Sequence, residues 1–250
     1  MPSMPERENT PNLPGAFERA TLNGLRVPPA GEVEVWRLSL DGDMSLHARC
    51  LIVLSEAEKR RAAGFRAAEA GSRFVIAHGY LRHILAGYTG IDPGNLSFIV
   101  SEFGKPSLSF AAEGAGIRFN MAHSGDAALV AVSQGREVGV DIESVRRFDD
   151  LKVVARRSFS SRELDLLRSC EEDHYDEMFY RLWTRKEAYI KARGGGMSLE
   201  LTAIDVTDAS SSPVSGWPIR DLGMYRGCMC ALALEGRITQ VRMLDGGTFM

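Results

Sequence analysis

The stretch from Met178 to Leu199 reads M-F-Y-R-L-W-T-R-K-E-A-Y-I-K-A-R-G-G-G-M-S-L and predicts a helix around which the chain is organised. Gly194 to Gly196 predict its end, because glycine favours the position just past a helix. Glu187 and Lys191 lie on one face with Trp183, and by themselves they could be an ordinary exposed ion pair. The helical pattern is carried by residues at three- and four-residue spacings: Phe179, Leu182, Trp183, Lys186, Tyr189 and Ile190.

The segment V-G-V-D-I-E, from Val138 to Glu143, predicts an apolar strand that carries two carboxylates. Asp141 and Glu143 are two residues apart, so both point to the same side of the strand. Carboxylates gathered on a buried face repel each other unless a cation compensates them. They could therefore form part of a cation site, or they could be capping or salt-bridging residues.

The run F-N-M-A-H-S-G, from Phe119 to Gly125, is a short apolar segment that ends in hydrogen-bond donors and a glycine. This composition suits an anion that approaches the backbone closely. Alone, His123 could equally be a satisfied histidine in a turn.

The sequence G-V-D-I-E followed by W-x-x-K-E-A-x-x-K resembles the 4′-phosphopantetheinyl transferases of the two-lobed, surfactin-type class. The similarity covers about residues 32 to 210 in the family's order and spacing. It implies transfer of the 4′-phosphopantetheine group of coenzyme A to a serine of an apo carrier protein, with release of adenosine 3′,5′-bisphosphate. Further motifs that agree are Gly104-Lys105-Pro106, the run from Phe119 to Gly125, and F-S-x-x-E from Phe159 to Glu163.

The resemblance implies a magnesium site made of Asp141, Glu143 and Glu187. Carboxylate oxygens suit Mg²⁺, whereas zinc would call for histidine or cysteine ligands. The catalytic candidates are Glu187, which orders the metal and can accept the serine proton, and Lys191, which can meet the leaving phosphate. The sequence leaves open which carboxylate is the base.

Five residues are expected to contact coenzyme A: Arg61, Arg73, Lys105, His123 and Ser124. The resemblance implies that His123 and Ser124 meet a phosphate and that the region of Arg61 and Arg73 reaches the 3′-phosphate. Lys105 in G-K-P is expected at a phosphate, although it could also be a solvated loop charge.

Two departures from the family pattern bear on specificity. Ala122 stands where many relatives have a serine, and Gly195 and Met197 replace the lysine and leucine of a common G-K-G-L. None of these positions belongs to the expected metal ligands. They leave the affinity for coenzyme A and the choice of carrier open.

The expected fold is α/β (α+β), with two similar lobes related by a pseudo-two-fold axis and the active site between them. Each lobe is expected to pack a small, largely antiparallel sheet against a long helix, near 68–88 in the first half and 175–192 in the second. Capping-box patterns at Ser55 and Ser160 open corresponding helices. We expect a mobile extension at 1–30, an N-terminal lobe at 31–136, a C-terminal lobe at 137–250 and the metal strand 138–143 at their junction. We also expect a hairpin of strands 127–132 and 137–142.

Composition narrows the class of protein. A 250-residue chain with a net charge of −3 lacks the basic footprint of a nucleic-acid binder. It contains no apolar run near 18 residues, and residues 1–29 lack a signal-peptide pattern, which together favour no membrane and a cytoplasmic enzyme. The four cysteines form no zinc spacing, so free thiols are expected. A duplicated chain is expected to act as a monomer.

The segment from Arg146 to Arg168 is locally basic, with seven basic and four acidic residues. We expect it to attract an acidic carrier protein, although its arginines could merely solvate helices. Two other functions compete with transfer: a magnesium-dependent nucleotide phosphohydrolase, and a non-catalytic coenzyme A or carrier-binding module. The second should have lost Glu187 or Lys191.

Overall fold

The computed structural model describes residues 22, 25–109, 116–147, 150–195, 200–208 and 216–246. No helix in these ranges is both long and apolar enough to cross a bilayer. Their α-helices and strands, in chain order, are β1 (Glu32–Ser39), α1 (Met44–Val53), α2 (Glu56–Ala63), α3 (Ala68–Thr89), β2 (Phe98–Val100), β3 (Pro106–Leu108), β4 (Ile117–Ser124), β5 (Ala127–Gln134), β6 (Val138–Ser144), α4 (Leu151–Ser158), α5 (Ser161–Ser169), α6 (Tyr175–Arg193), β7 (Ile219–Tyr225), β8 (Cys228–Leu234) and β9 (Gln240–Asp245).

The strands form small sheets. One has the order β4-β5-β1-β9, another the order β6-β8-β7, and β2 pairs with β3. All pairings are antiparallel except that of β1 with β9. This confirms the expected α/β class with small, largely antiparallel sheets and long helices. Strand β9 comes from the C-terminal half but lies in the sheet of the N-terminal half, so the two halves share a sheet. The domain bounds at 30/31 and 136/137 stay predictions.

Alternation along β1 shows how the layers are built. Trp36 and Leu38 face a core that includes α3, whereas Val33 and Val35 face a core between the two larger sheets. That second core includes Val140 of β6 and Leu232 of β8. Helix α6 packs on the other face of the β6-β8-β7 sheet.

Each half contains an arrangement that we call an ion-paired corner, in which a glutamate of a short helix pairs with a cation of a long helix. In the first, Ser55 caps α2, and Arg82 of α3 donates to Glu58 Oε2 from Nη2 at 2.7 Å. Arg82 also donates to the carbonyls of Pro93 and Leu96.

In the second half, Ser160 caps α5, and the Lys186 ammonium of α6 lies 2.8 Å from Glu163 Oε2. Lys186 also donates to the carbonyls of Leu201 and Ile204. Each corner ties a short capped helix to a long helix and to the loop that follows it, which is the repeat expected from the sequence.

The expected hairpin of 127–132 and 137–142 is wrong, although both strands exist. Both edges of β5 are occupied, by β4 and β1, so β6 pairs with β8 instead. The turn at Gly135 therefore carries the chain from one sheet to the other. The segment Leu201–Val206, expected to match the second strand of the first half, instead begins with a 3₁₀ helix at Leu201–Ala203.

Several predictions concern residues outside the described ranges. They include most of the N-terminal extension, at 1–21, 23 and 24, together with Asp149, Gly196 and Met197. In the described part of the extension, Leu25 and Val27 pack against the first core.

Gly139 lets β6 lie directly against α6. A Cβ atom there would be 2.1 Å from the carbonyl oxygen of Ala188 and 2.4 Å from the backbone nitrogen of Ala192. Both atoms belong to the helix backbone, so a side chain at 139 could be accommodated only by moving the strand or the helix. The absence of a side chain at Gly139 therefore sets the distance between β6 and α6.

We expect Gly139→Ala to destabilise the protein by about 1–3 kcal/mol or more, as overpacking of a close contact does. Urea unfolding measures this change. Gly64→Ala is the matched control, because its Cβ would meet only ordinary contacts from 3.4 Å outward. Equal stability of the two variants would contradict the assigned close approach.

Candidate active site

Asp141 is the most deeply buried of the candidate ligands. It lies on β6, two residues after Gly139, and only 2% of it is exposed. The Lys191 ammonium of α6 donates to Asp141 Oδ1 at 2.5 Å. Burial raises the pKa of Asp141, and Lys191 opposes this effect. The other oxygen, Oδ2, is buried and has no hydrogen-bond partner among the described residues, which marks an acceptor position for a further cation or donor.

Glu143 and Glu187 lie within the electrostatic influence of Asp141. Burial, followed by the charge of Asp141, raises the pKa of Glu143, while a hydrogen bond from Ser124 lowers it. Burial and then Asp141 likewise raise the pKa of Glu187, with Lys191 acting in the opposite direction. The structure thus brings Asp141, Glu143, Glu187 and Lys191 together between β6 and α6.

Strand β4 supports this group from the opposite sheet. Asn120 is buried and accepts from the Val140 backbone nitrogen through Oδ1 at 2.9 Å. The Ser124 hydroxyl donates to Glu143 Oε2 at 3.2 Å and accepts from the Ser144 backbone nitrogen at 3.1 Å. Two residues of the F-N-M-A-H-S-G run therefore hold the carboxylate-bearing strand in position.

His123 lies at the end of β4, where the charges of groups from three helices act on it. Desolvation lowers the pKa of His123, and the positive charges of His78, Lys191 and Arg61 lower it further. These groups come from α3, α6 and α2. Their convergence with His123 creates a region of positive potential next to the carboxylates, which suits a phosphate.

Lys105 has a different environment from the one expected. Its ammonium donates to Glu137 Oε2 at 2.6 Å, to the Ala192 carbonyl at 2.9 Å and to the Val138 carbonyl at 3.2 Å. These three acceptors match its three N–H groups. Lys105 thereby places a positive charge at the C-terminus of α6, where the helix dipole favours it. Phosphate contact by Lys105 stays a prediction.

The two arginines expected at the 3′-phosphate lie in different surroundings. The Arg61 guanidinium carbon is 5.3 Å from the centroid of the Phe74 ring, and its charge reaches His123. Arg73 instead forms ion pairs with Glu69 at 2.6 Å and with Asp41 at 3.4 Å. Of these two arginines, Arg61 but not Arg73 contributes to lowering the pKa of His123.

The carboxylates near Asp141 determine how a magnesium ion could be held at this site. Within the described ranges, no group of three or more His, Cys, Asp and Glu side chains forms a ready-made metal cage. Mg²⁺ usually keeps several waters and takes one or two carboxylates together with substrate phosphates. The unpartnered Oδ2 of Asp141 and the neighbouring carboxylates of Glu143 and Glu187 fit that mode of binding.

Comparison with known proteins defines the class of the protein. Residues 137–220 match the family model of the 4′-phosphopantetheinyl transferase superfamily. The 4′-phosphopantetheinyl transferase HetI of Nostoc sp. is 36% identical over 209 residues, which are 82% of this chain and 88% of HetI. The chain therefore belongs to the 4′-phosphopantetheinyl transferase family and is an enzyme of that class.

Two relatives from Bacillus subtilis extend the comparison. A 4′-phosphopantetheinyl transferase is 32% identical over 158 residues, covering 63% of this chain and 68% of that protein. The 4′-phosphopantetheinyl transferase Sfp is 26% identical over 176 residues, covering 70% of this chain and 76% of Sfp.

Sequence reasoning missed four residues that shape the site: Asn120, Gly139, Lys186 and His78. Asn120 and Gly139 lie inside the motifs F-N-M-A-H-S-G and V-G-V-D-I-E, in which the predicted roles fall on neighbouring residues. The helical pattern predicts only that Lys186 lies on the helix, whereas its 1% exposure and its pairing with Glu163 make it a buried structural cation. The spacing of F-S-x-x-E ahead of the long helix carried a signal for this pair, because Ser55 and Glu58 precede Arg82 in the same way.

We expect Glu187→Gln to stabilise the protein at neutral pH in the absence of metal by about 1 kcal/mol, or about 2–4 °C in Tm. The raised pKa means that the folded state holds the Glu187 proton more tightly than the unfolded state does. The stabilisation of the folded state by this bound proton is complete at low pH. It is lost as the pH rises from the ordinary glutamate pKa of about 4.3 through the raised value. Thermal unfolding between acid and neutral pH measures it.

Glu177→Gln, on the same helix but at an exposed carboxylate, is the control and should lack this gain. A Glu187→Gln protein that is less stable than wild type at neutral pH would contradict the electrostatic assignment.

Proposed function

We propose that the protein transfers the 4′-phosphopantetheine group from coenzyme A to a serine of an apo acyl or peptidyl carrier protein, releasing adenosine 3′,5′-bisphosphate. The observation that carries this proposal is the convergence of Asp141, Glu143 and Glu187 with Lys191 between β6 and α6, beside the cationic region around His123. Clustered carboxylates next to clustered cations suit a reaction on a phosphate anhydride.

Glu187 is the residue we propose to accept the proton of the attacking serine. Burial and the charge of Asp141 raise its pKa, which makes it a stronger base at neutral pH than an exposed glutamate. Asp141 is more buried and is already paired with Lys191, so it is less suited to exchange a proton with a substrate.

Lys191 is proposed to stabilise the negative charge of the leaving phosphate. Its side chain is 31% exposed, so its ammonium can reach a ligand as well as Asp141. A fixed cation at the point where charge develops lowers the barrier of phosphoryl transfer.

Mg²⁺ is the proposed metal, held by Asp141, Glu143 and Glu187 and completed by phosphate oxygens and water. When bound, it would neutralise charge on the pyrophosphate of coenzyme A. Ser124 keeps Glu143 oriented through the hydrogen bond to Oε2. Arg61 and His123 are proposed for the phosphates of coenzyme A. Lys105 is proposed there too, but it would need to leave Glu137 or one of the carbonyls that it now binds, and Arg73 would need to leave its pairs with Glu69 and Asp41.

A groove of about 770 Å³ is proposed as the carrier-docking surface. Its lining includes four basic residues of the segment from Arg146 to Arg168, namely Arg147, Lys152, Arg156 and Arg168, and the apolar Leu151, Leu164 and Leu167. Three carboxylates, Glu172, Asp173 and Asp176, also line it, so the basic residues exceed the acidic ones by one. Positive charge would steer an acidic carrier, and the apolar floor would supply contact area after encounter. We further propose a cytoplasmic location, since the four cysteines are free thiols, as expected for a reducing compartment. A monomer is proposed because this one chain supplies strand β4 from its first half and both β6 and α6 from its second half to the site.

We expect Asp141→Ala and Glu187→Ala to abolish transfer while the protein remains folded, because both act on the reacting phosphates rather than on the core. Intact-mass analysis after incubation with apo carrier protein, coenzyme A and Mg²⁺ measures transfer as the gain of one phosphopantetheine group. Asp165→Ala, at an exposed carboxylate of α5, is the control and should retain wild-type transfer.

Consumption of coenzyme A by the wild-type protein without a change in carrier mass would instead indicate a phosphohydrolase. Unchanged turnover in Asp141→Ala or Glu187→Ala would refute their assigned roles.

We expect Arg156→Glu combined with Arg157→Glu to raise the KM for carrier about tenfold while the KM for coenzyme A changes little. Both side chains are exposed on α4. The wild-type KM for carrier should also rise with salt, as the attraction between surface charges is screened. Steady-state kinetics with each substrate varied in turn measures both effects.

Arg49→Glu combined with Arg237→Glu makes the same change in net charge at exposed positions away from the groove. A carrier KM that responds equally to both double variants, or to neither, would place docking elsewhere.

A further inference from the structure

The turn between β7 and β8 contains an arginine in a backbone conformation that arginine rarely adopts. Tyr225 pairs with Cys228, so the turn consists of Arg226 and Gly227. Both have positive φ angles, of 50° and 73°, and no other described residue apart from glycine has one. A two-residue hairpin turn with two positive φ angles favours asparagine or aspartate followed by glycine. The conformation of the turn therefore does not explain why an arginine is found there.

The side chain of Arg226 crosses from the second half of the chain to the first. Its Nε atom donates to Asp126 Oδ2 at 2.8 Å, and its Nη2 atom donates to the same oxygen and, at 2.9 Å, to Asp41 Oδ2. Asp126 lies in the turn between β4 and β5, and Asp41 lies just beyond β1. The Leu40 backbone nitrogen donates to the Asp126 carbonyl at 2.7 Å, so these two segments are already joined. We call the group of Arg226, Asp126 and Asp41 the inter-half clasp.

The β7–β8 turn also touches the strand that carries the candidate metal ligand Glu143. The Gly227 carbonyl accepts from the Val145 backbone nitrogen at 3.1 Å, and Cys228 Sγ lies 3.4 Å from Ser144 Oγ. Both contacts involve residues that directly follow Glu143. The β7–β8 turn is therefore fixed to the end of β6 and, through the inter-half clasp, to the β4–β5 turn.

Strand pairing does not hold the ends of β4 and β6 together, because these two strands belong to different sheets. The Ser124 hydroxyl joins them there, by its bonds to Glu143 Oε2 at 3.2 Å and to the Ser144 backbone nitrogen at 3.1 Å. Asp126 follows Ser124 by two residues, so a shift of the β4–β5 turn would move this hydroxyl relative to Glu143. Exposed ion pairs contribute little to stability, and the Arg226 side chain is 39% exposed. The main consequence of the clasp is therefore the position of the turn.

We propose that Arg226 is a positioning residue for the transfer reaction. By holding the β4–β5 turn against the β7–β8 turn, it keeps Ser124 hydrogen-bonded to Glu143 and that carboxylate oriented for the metal. The inference rests on the proposed function, in which Glu143 is a ligand of Mg²⁺. Loss of a group that orients a metal ligand typically lowers metal affinity or activity about 10- to 100-fold. Arg226 acts one step further out, through Asp126 and Ser124, so the lower end of that range, about tenfold, is expected.

Two substitutions separate the ion pairing of Arg226 from the conformation of its turn. Arg226→Asn suits the turn better but cannot form ion pairs, whereas Arg226→Lys keeps a cation without improving the turn. We expect Arg226→Asn to keep or raise the Tm, to raise the apparent KM for Mg²⁺ about tenfold and to leave the KM for carrier protein unchanged. Arg226→Lys should remain close to wild type. A residue that served only the turn would give the opposite order.

Two further measurements do not depend on turnover. Calorimetric titration of Mg²⁺ into the protein with coenzyme A should show about tenfold weaker metal binding in Arg226→Asn. Hydrogen exchange followed by mass spectrometry should show faster exchange of the backbone amides in the β4–β5 turn. Arg237→Asn is the matched control, because it removes an exposed arginine from the turn at the other end of β8 and should change neither result.

Asp126→Asn removes the same ion pair from the other side and should reproduce the effect if Arg226→Asn folds poorly. Wild-type metal affinity and wild-type hydrogen exchange in the folded variants would overturn the inference. Equal impairment of Arg226→Asn and Arg226→Lys would also overturn it, because the conformation of the turn would then be responsible. Absence of transfer by the wild-type protein would contradict the proposed function instead, and the exchange comparison would still test the clasp.

Discussion

Strand β6 meets helix α6 backbone to backbone at Gly139, and the site depends on this contact. Any Cβ atom at that position would fall 2.1 Å from the Ala188 carbonyl oxygen. The close approach brings Asp141, two residues further along β6, within 2.5 Å of Lys191. The candidate metal ligands and the candidate cation are therefore held on two elements whose separation is set by the absence of a side chain.

The repeated ion-paired corner explains how that arrangement is kept rigid. In each half, the buried or half-buried glutamate of a capping box pairs with a cation of a long helix, Arg82 in one half and Lys186 in the other. Such a pair is costly to break, because the remaining partner would be a buried, uncompensated charge. Lys186 directly precedes Glu187, so the structural corner and the candidate site share one turn of α6.

The charges of the site are arranged in two adjoining regions of opposite sign. Burial raises the pKa values of Asp141, Glu143 and Glu187, and the charge of Asp141 adds to this effect at both glutamates, as expected for groups gathered for function rather than for stability. Next to them, His123 experiences the charges of Arg61, His78 and Lys191. Lys191 belongs to both regions, and its pairing with Asp141 links them.

The sequence by itself determined the local structure and the chemical class of the site. The capping boxes and the helical periodicity located α2, α3 and α6 to within a few residues, because helix bounds depend on nearby side chains, and the motifs named the carboxylates and Lys191. Only the tertiary structure decided that β5 and β6 enter different sheets and that β9 joins β1. It also decided that Lys105 binds the end of α6, that Arg73 pairs with Asp41, and that His78 stacks beside Arg61. Folding brings together groups from distant parts of the chain, and the partner of a strand edge or of a long charged side chain is one of these groups. A local sequence pattern does not show which of them will be that partner.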